Sequence, residues 1–451
     1  MKTKVLTFSR FWVTAAMLLL VNSGITRAQD RLAITDATII PIVGERIENG
    51  TILISNGRIE AVGKDIDIPI EAKVIDASGH VVMPGIINVH SAAGMSQANE
   101  RNPNVPFLSV VDSIDPIADF FDESRRNGVT TAFVVPGNST MIGGRSAIVK
   151  TAGTYVEDML VKRDAGLKMS LAPTSGSSRM SHVAKLRREL QKAKERSEAD
   201  EEKDTDKKNT DKKNTDTKNT DAKKTADKKD QKSEDKKETK TASDKSSETT
   251  TEDALRRLIE GEMPAIIYCQ TSMDVAQALS LVDEFQLKPI FVLGQDCYKA
   301  AKLVAKRKFP VVLDSKMVYW RTDPVTRKDE KIVLPKIFRD AGATFVFQAA
   351  DSGTTLGTHY YWYQAATAVR YGMPEADALK ALTIDSAKLL GIDNAVGSIE
   401  KGKDADLIIL TGEPLNGSTW VQTTIVSGKV VYEKSEDDKL QLLLHPEQDA
   451  N

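Results

Sequence analysis

The 451-residue chain carries five histidines, His80, His90, His182, His359 and His445, and their positions limit the chemistry open to it. His80 precedes the first strand and helix alternation, His182 lies in a polar helical stretch and His445 is near the end, which leaves His90 and His359 for a site. A catalytic zinc keeps about three protein ligands and an open position for water. Two histidines and one carboxylate could just meet that if His359 turns inward. The ordinary alternative is a loop histidine beside Tyr360, Tyr361 and Trp362. The two cysteines, Cys269 and Cys297, sit in apolar-flanked segments, where buried thiols are commoner than a bridge or a nucleophile. Gly137, Gly143, Gly144 and Gly153 lack the G-x-x-x-x-G-K-[ST] spacing of a phosphate cradle and read as tight turns. A net charge of -2, with no basic cluster free of interleaved acids, excludes a nucleic-acid footprint.

The elements that would position these residues are legible in the apolar pattern. Residues 32–82 alternate short apolar and polar runs broken by turns such as Ser55-Asn56-Gly57, and a matching pattern returns at 405–410 and 423–432, so the two ends are expected to pair into one small β-sandwich. Between them, apolar runs at 130–135, 265–268, 290–293, 311–313 and 344–347 alternate with helical stripes, as in Val275, Leu279, Val282 and Phe285. Strand and helix alternating over about 300 residues predict a parallel sheet closed into a (β/α)8 TIM barrel. Residues 199–252 interrupt it. Within 201–250 there are 15 Lys and 14 Asp/Glu and almost nothing apolar, which predicts a disordered low-complexity insertion; a long charged helix is the competing reading.

The start of the chain has its own signature. Lys2, Lys4 and Arg10 precede an apolar stretch at 11–21, and Thr26-Arg27-Ala28 supplies the small residues that signal peptidase accepts. A signal peptide over 1–28 is expected, with export to the periplasm or beyond the cell and no integral membrane segment after cleavage; an uncleaved anchor is the alternative, for which the apolar run is short. The remaining boundaries are a β-sandwich part at 29–83, barrel parts at 84–198 and 253–394, a second sandwich part at 395–436 and a tail at 437–451.

The run Met83-Pro84-Gly85-Ile86-Ile87-Asn88-Val89-His90 resembles the first-strand signature of the amidohydrolase superfamily, in its imidazolonepropionase-like branch, where M-P-G, two apolar residues and D-x-H-x-H carry the first two metal ligands. Residues two apart on a strand point the same way, so an H-x-H pair aims two imidazoles at one metal. Here Ala92 holds the second position and Asn88 replaces the acid. Asn127-Gly128-Val129-Thr130-Thr131, Ala387-Lys388-Leu389-Leu390-Gly391 and Gly397-Ser398-Ile399-Glu400-Lys401-Gly402 continue the resemblance, which spans nearly all of the chain outside the insertion. It implies a metal-dependent-hydrolase barrel with a small β-domain and places the remaining ligands. The fifth-strand I-H-A-H matches Ile267-Tyr268-Cys269-Gln270, so histidine is replaced there, Gln270 standing at the last position; the sixth-strand E-H-G matches Val292-Leu293-Gly294, so that histidine is Leu293, which would fill and dry the mouth. The acid that activates water matches Asp351, either as a surviving base or as a cap on the Ser352, Gly353 and Thr354 amides. Some amidohydrolases use a carboxylated lysine, for which Lys150 is the candidate.

The residual metal set is thus His90 and Asp351, with Asp351 the catalytic residue of any active form. Two functions compete. The favoured one is a non-hydrolytic pseudoenzyme with no cofactor, binding a small molecule or a protein, an active family member among the candidates, with a homo-oligomer also compatible. The alternative is a hydrolase of carbon-nitrogen bonds in a cyclic amide, amide or dipeptide, using a divalent metal such as zinc. Export has a direct check: mass spectrometry of protein recovered from the periplasm or medium should find Gln29 as the first residue, and an intact Met1 would contradict the signal peptide.

Overall fold

The computed structural model describes residues 31–174, 176–215, 250–350 and 360–444. The signal segment, most of the charged insertion, Asp351, His359 and His445 lie outside the described residues. The chain begins with β1 (Arg31–Ile39), β2 (Ile47–Ser55), β3 (Arg58–Gly63), β4 (Lys73–Asp76) and β5 (Val81–Pro84). The central strands are β6 (Ile86–Ser91), β7 (Val129–Val134), β8 (Ile142–Lys150), β9 (Leu160–Ser170), β10 (Ala265–Thr271), β11 (Pro289–Asp296) and β12 (Val311–Leu313), then a hairpin, β13 (Val318–Thr322) and β14 (Asp329–Val333), and β15 (Phe345–Phe347). The last three are β16 (Leu407–Leu410), β17 (Val421–Val426) and β18 (Lys429–Glu433).

The two chain ends meet in one sheet, ordered β18-β17-β16-β5-β1-β2-β3 with β4 beside β1. The junction is antiparallel, Leu407 opposite Pro84 and Leu410 opposite Val81. Alternation decides its faces: Val82, Leu407 and Ile409 pack with Ile34, Ile52 and Ile54, while Val81, Met83, Ile408 and Leu410 pack with Val421 and with Leu379 of the helix Glu375–Leu382. The expected β-sandwich is therefore corrected to a single hydrogen-bonded sheet, curled until the β2–β3 turn reaches the β17–β18 turn. At that contact Gly57 has φ +77°, and a Cβ there would stand 2.7 Å from the Ser427 carbonyl oxygen, so only glycine lets the turns touch.

The central sheet runs β15-β12-β11-β10-β9-β8-β7-β6, and β15 returns beside β6 to give a nearly closed barrel. Ile87, Val89, Phe133, Ile266, Ile290, Val292, Val312 and Val346 fill its interior. The alternate residues, among them Ile267, Phe291, Leu293, Leu313 and Phe347, look outward onto helices such as Ser272–Phe285, whose Val275, Leu279, Val282 and Phe285 form the facing stripe. One departure from a regular (β/α)8 order is clear: β8 is antiparallel to both β7 and β9. Only residues 135–141 join β7 to β8, and a parallel crossover needs a dozen or more.

The helix Arg179–Thr215 carries the expected boundary at 199 further along the chain. Its first half is anchored by Leu186, Leu190 and Ala193, which share a core with Leu255 and Leu258 of the helix Thr251–Ile259. Propagation from an anchored helix is far cheaper than nucleation, so the charged sequence continues as helix through 199–215. The insertion ends at Thr250, whose side chain accepts from the Asp253 N–H as N-cap.

Lys150, at the end of β8, ties the barrel to the curled sheet: its Nζ lies 2.6 Å from Asp406 Oδ2 and 3.0 Å from Asp404 Oδ2. Burial alone would lower its pKa, but the two carboxylates outweigh that and hold it above the usual lysine value. Asp406 also accepts from the Ser427 N–H at 2.8 Å. Lys150→Met should leave Asp406 buried without its cation and cost about 3–5 kcal/mol in urea unfolding; an unchanged midpoint and slope would contradict this role.

Candidate functional site

The mouth of the barrel is built from strand ends. His90, the penultimate residue of β6, is buried, and its N–H donates to Asn88 Oδ1 at 3.1 Å, so the asparagine that replaces the family acid shapes the end of the strand. Lys168 reaches the same place from β9 and is fully buried. Its Nζ lies 3.0 Å from His90 Nε2, donates to Asn138 Oδ1 at 2.6 Å, and stands 5.6 Å from the centre of the Tyr268 ring. An ammonium can only donate, so Nε2 of His90 accepts and its proton sits on Nδ1. Burial first, then the neighbouring Lys168 charge, push the His90 pKa well below 6.5, against a hydrogen bond from its side chain to Gln348. The Asn138 loop is itself fixed, because Ser170 Oγ donates to the Asn138 carbonyl at 2.7 Å.

Tyr268, near the end of β10, is pushed up to about 12 by burial, with Asp314 adding to the shift. Asp314 follows β12; burial raises its pKa although the Lys316 N–H donates to it at 2.8 Å. Gly294 makes room for the tyrosine: a Cβ there would meet Gln270 O at 2.9 Å and the Tyr268 hydroxyl at 3.2 Å. The expectation that Leu293 plugs the mouth is corrected, since Leu293 packs among the outward-facing residues and the next position, Gly294, faces the site. The physical reason is strand parity, with Val292 inside and Leu293 outside.

The other expected positions divide. Ala92 lies just past β6, half-buried, and Gln270 is exposed at the end of β10. Lys150 is far from this chemistry in its pairing with Asp404 and Asp406, and Lys168 is the lysine at the site. Asp351 and His359 are outside the described residues. His182 is buried, its Nε2 2.8 Å from the Ser170 carbonyl, an anchor for the following helix. Cys269 and Cys297 are buried free thiols with raised pKa values from burial, and the Cys297 thiol donates to the Cys269 carbonyl at 3.0 Å. Lys168, Asn138, Gln348 and Asp314 were not anticipated. The available signal was a lysine between Leu167 and Met169, fully buried near the end of a strand whose other charges, Lys162, Arg163 and Asp164, lie in its first half.

A divalent metal does not fit this set. Among the described residues of the mouth, the His90 imidazole has its acceptor nitrogen against an ammonium, and the groups near it are amides, a phenol and the Asp314 carboxyl. Among the described residues no three His, Cys, Asp or Glu come together.

An eight-stranded, nearly closed barrel joined to a sheet made from both chain ends defines the class as a barrel protein with an attached β-domain. The model of the amidohydrolase family matches residues 296–431. Amidohydrolase tasK of Hapsidospora irregularis is 22% identical over 413 residues, 83% of this chain and 39% of that protein. Imidazolonepropionase of Geobacillus kaustophilus is 36% identical over 80 residues, 15% of this chain and 19% of that enzyme. The matches thus span well under two thirds of the length of these curated relatives. The crystal structure of an amidohydrolase from Thermotoga maritima superposes with a TM-score of 0.70 at 25% identity, over 89% of this chain and 100% of that one. Residues 296–431 thus carry the amidohydrolase family pattern, on a fold shared with a solved amidohydrolase over most of the chain.

The lowered His90 pKa has a signed consequence. An unfolded histidine titrates near 6.5, so below that pH the unfolded chain binds a proton that the folded one refuses; the stabilisation is full above about pH 6.5 and is lost as pH falls. Urea unfolding should show His90→Gln losing less stability than the parent protein between about pH 7 and about pH 5. Equal losses would contradict a neutral buried His90.

Proposed function

We propose that this chain is an exported, non-hydrolytic amidohydrolase of the imidazolonepropionase-like branch that binds a small ligand or a protein partner. The observation that carries the reading is the 3.0 Å contact between Lys168 Nζ and His90 Nε2, which engages the one lone pair that His90 has to offer a metal. Leu293 no longer supports it, but Ala92, Tyr268 and Gln270 still stand where the resemblance calls for histidine, and they are poor or absent ligands. Surface for binding exists elsewhere. A cleft of about 1020 Å³ lies between the barrel and the curled sheet, lined by Phe120, Trp362, Tyr363, Trp420, Tyr432 and Leu443 among others, an aromatic wall of the kind that small ligands bury against.

The competing function, hydrolysis of a carbon-nitrogen bond, draws on the names of the relatives and requires His90 and Asp351 to hold a metal. Elemental analysis of protein purified without chelators separates the two. The expected result is far less than one zinc, manganese or iron per chain, and amide or dipeptide hydrolysis no faster than that of Asp351→Ala. About one metal per chain, lost together with a measurable activity on His90→Ala, would restore the hydrolase.

A further inference from the structure

The β13–β14 hairpin leaves the barrel between β12 and the helix Leu334–Asp340, and its two faces differ. One is anchored. Tyr319 and Ile332, opposite each other across the ladder, are buried in the core, the Tyr319 hydroxyl donates to the Gln295 carbonyl at 2.8 Å, and Arg321 donates to the Tyr298 hydroxyl. The other face meets solvent. Trp320 is 68% exposed, and its cross-strand partner Lys331, also exposed, places Nζ 6.0 Å from the Trp320 ring centre and 5.1 Å from that of Tyr371. At the turn Val325 is 88% exposed, with Arg327 and Lys328 exposed just after it. The surroundings are basic: residues 297–340 hold twelve lysines and arginines against five acids, in a chain whose net charge is -2. Two of the hairpin's own three acids are engaged locally, Asp323 by the Val325 and Thr326 N–H groups and Asp329 by the Thr322 hydroxyl, and the nearby Asp340 pairs with Lys336 and Arg339.

We propose that the β13–β14 hairpin docks the protein on an anionic bilayer surface, with Trp320 and Val325 entering the interface and Arg327, Lys328 and Lys331 meeting lipid phosphates. The pairing of side chains selects this partner. A soluble polyanion would be held by the cations alone and would leave Val325 and Trp320 in water, whereas a lipid surface takes up the apolar side chains and the charges together, the tryptophan at headgroup level and the basic groups on the phosphates. Charge complementarity is supplied by the segment and not by the whole chain, so the attachment is directional. Because Tyr319 and Ile332 fix the ribbon in the core, it is already ordered before it binds. With three cations and two apolar side chains it makes a reversible hold, far short of an inserted helix. The hairpin stands at the C-terminal end of β12, so docking turns that rim of the barrel toward the lipid. None of this draws on His90, and it holds whether or not the barrel hydrolyses.

The test is cosedimentation of the protein starting at Gln29, which keeps every described residue, with vesicles of mixed phosphatidylcholine and phosphatidylglycerol and with vesicles of phosphatidylcholine alone. The parent protein should bind the acidic vesicles, bind the neutral ones far less, and come off as salt is raised. The double variant Arg327→Gln, Lys328→Gln should bind about 30-fold more weakly, the loss expected for two cations at a charged surface. Trp320→Ala should also weaken binding and should remove most of the quenching of tryptophan fluorescence by brominated lipid. Both variants change exposed side chains and should melt with the parent protein, which separates lost docking from lost folding. No binding to acidic vesicles, equal binding to neutral ones, or binding that neither variant weakens overturns the proposal; the last result would place the contact elsewhere, the lysines of the 199–252 insertion included. Retention on dextran sulfate as strong as on vesicles, with no quenching by brominated lipid, would identify a soluble polyanion as the partner and overturn it as well.

Discussion

A single buried hydrogen bond, from the Lys168 ammonium to Nε2 of His90, organises the mouth of this barrel. Its effects run outward. It sets the tautomer of His90 and adds to burial in lowering the imidazole pKa, while separate bonds from Lys168 and Ser170 hold the Asn138 loop at the end of β9. In the proposed non-hydrolytic reading it also removes from use the histidine that the first-strand signature makes most suggestive. A fold that supports many chemistries is committed by its site.

The barrel tolerates that lysine because its surroundings are rigid. Interior layers of Ile87, Phe133, Ile266, Val292 and Val346 lie beneath it, and outward residues on the same strands are locked against helices. The Lys150 pairing with Asp404 and Asp406 does a separate job, clamping the barrel to the curled sheet. The two lysines illustrate how environment assigns a role. Lys150 meets carboxylates and forms an ion pair, while Lys168 reaches His90 and Asn138 at the barrel mouth.

Much of the fold was legible in the sequence, because it rests on patterns that repeat: alternation in β5 and β16, the apolar stripe of Ser272–Phe285, and turns marked by glycine. The pairing of the chain ends followed from those patterns. The antiparallel β8 did not, since strand direction depends on the length of the 135–141 connection and hardly on composition. The helical start of the insertion was ranked second to disorder because local propensity was weighed without the packed helix behind it.

The site was legible in its losses and much less in its contents. Ala92 and Gln270 could be read as missing ligands only through the family resemblance, and Leu293 was given a place at the mouth that strand parity denies it. Lys168 escaped notice because β9 also carries Lys162, Arg163 and Asp164, and nothing singles out one charge among them until its neighbours from β6 and β10 are known. The central claim is that a side-chain ammonium, and no metal, occupies the His90 position. Crystals soaked in zinc and measured at the zinc absorption edge test it most directly: the account predicts no anomalous peak at about 2 Å from His90 Nε2, and a strong peak there would contradict it.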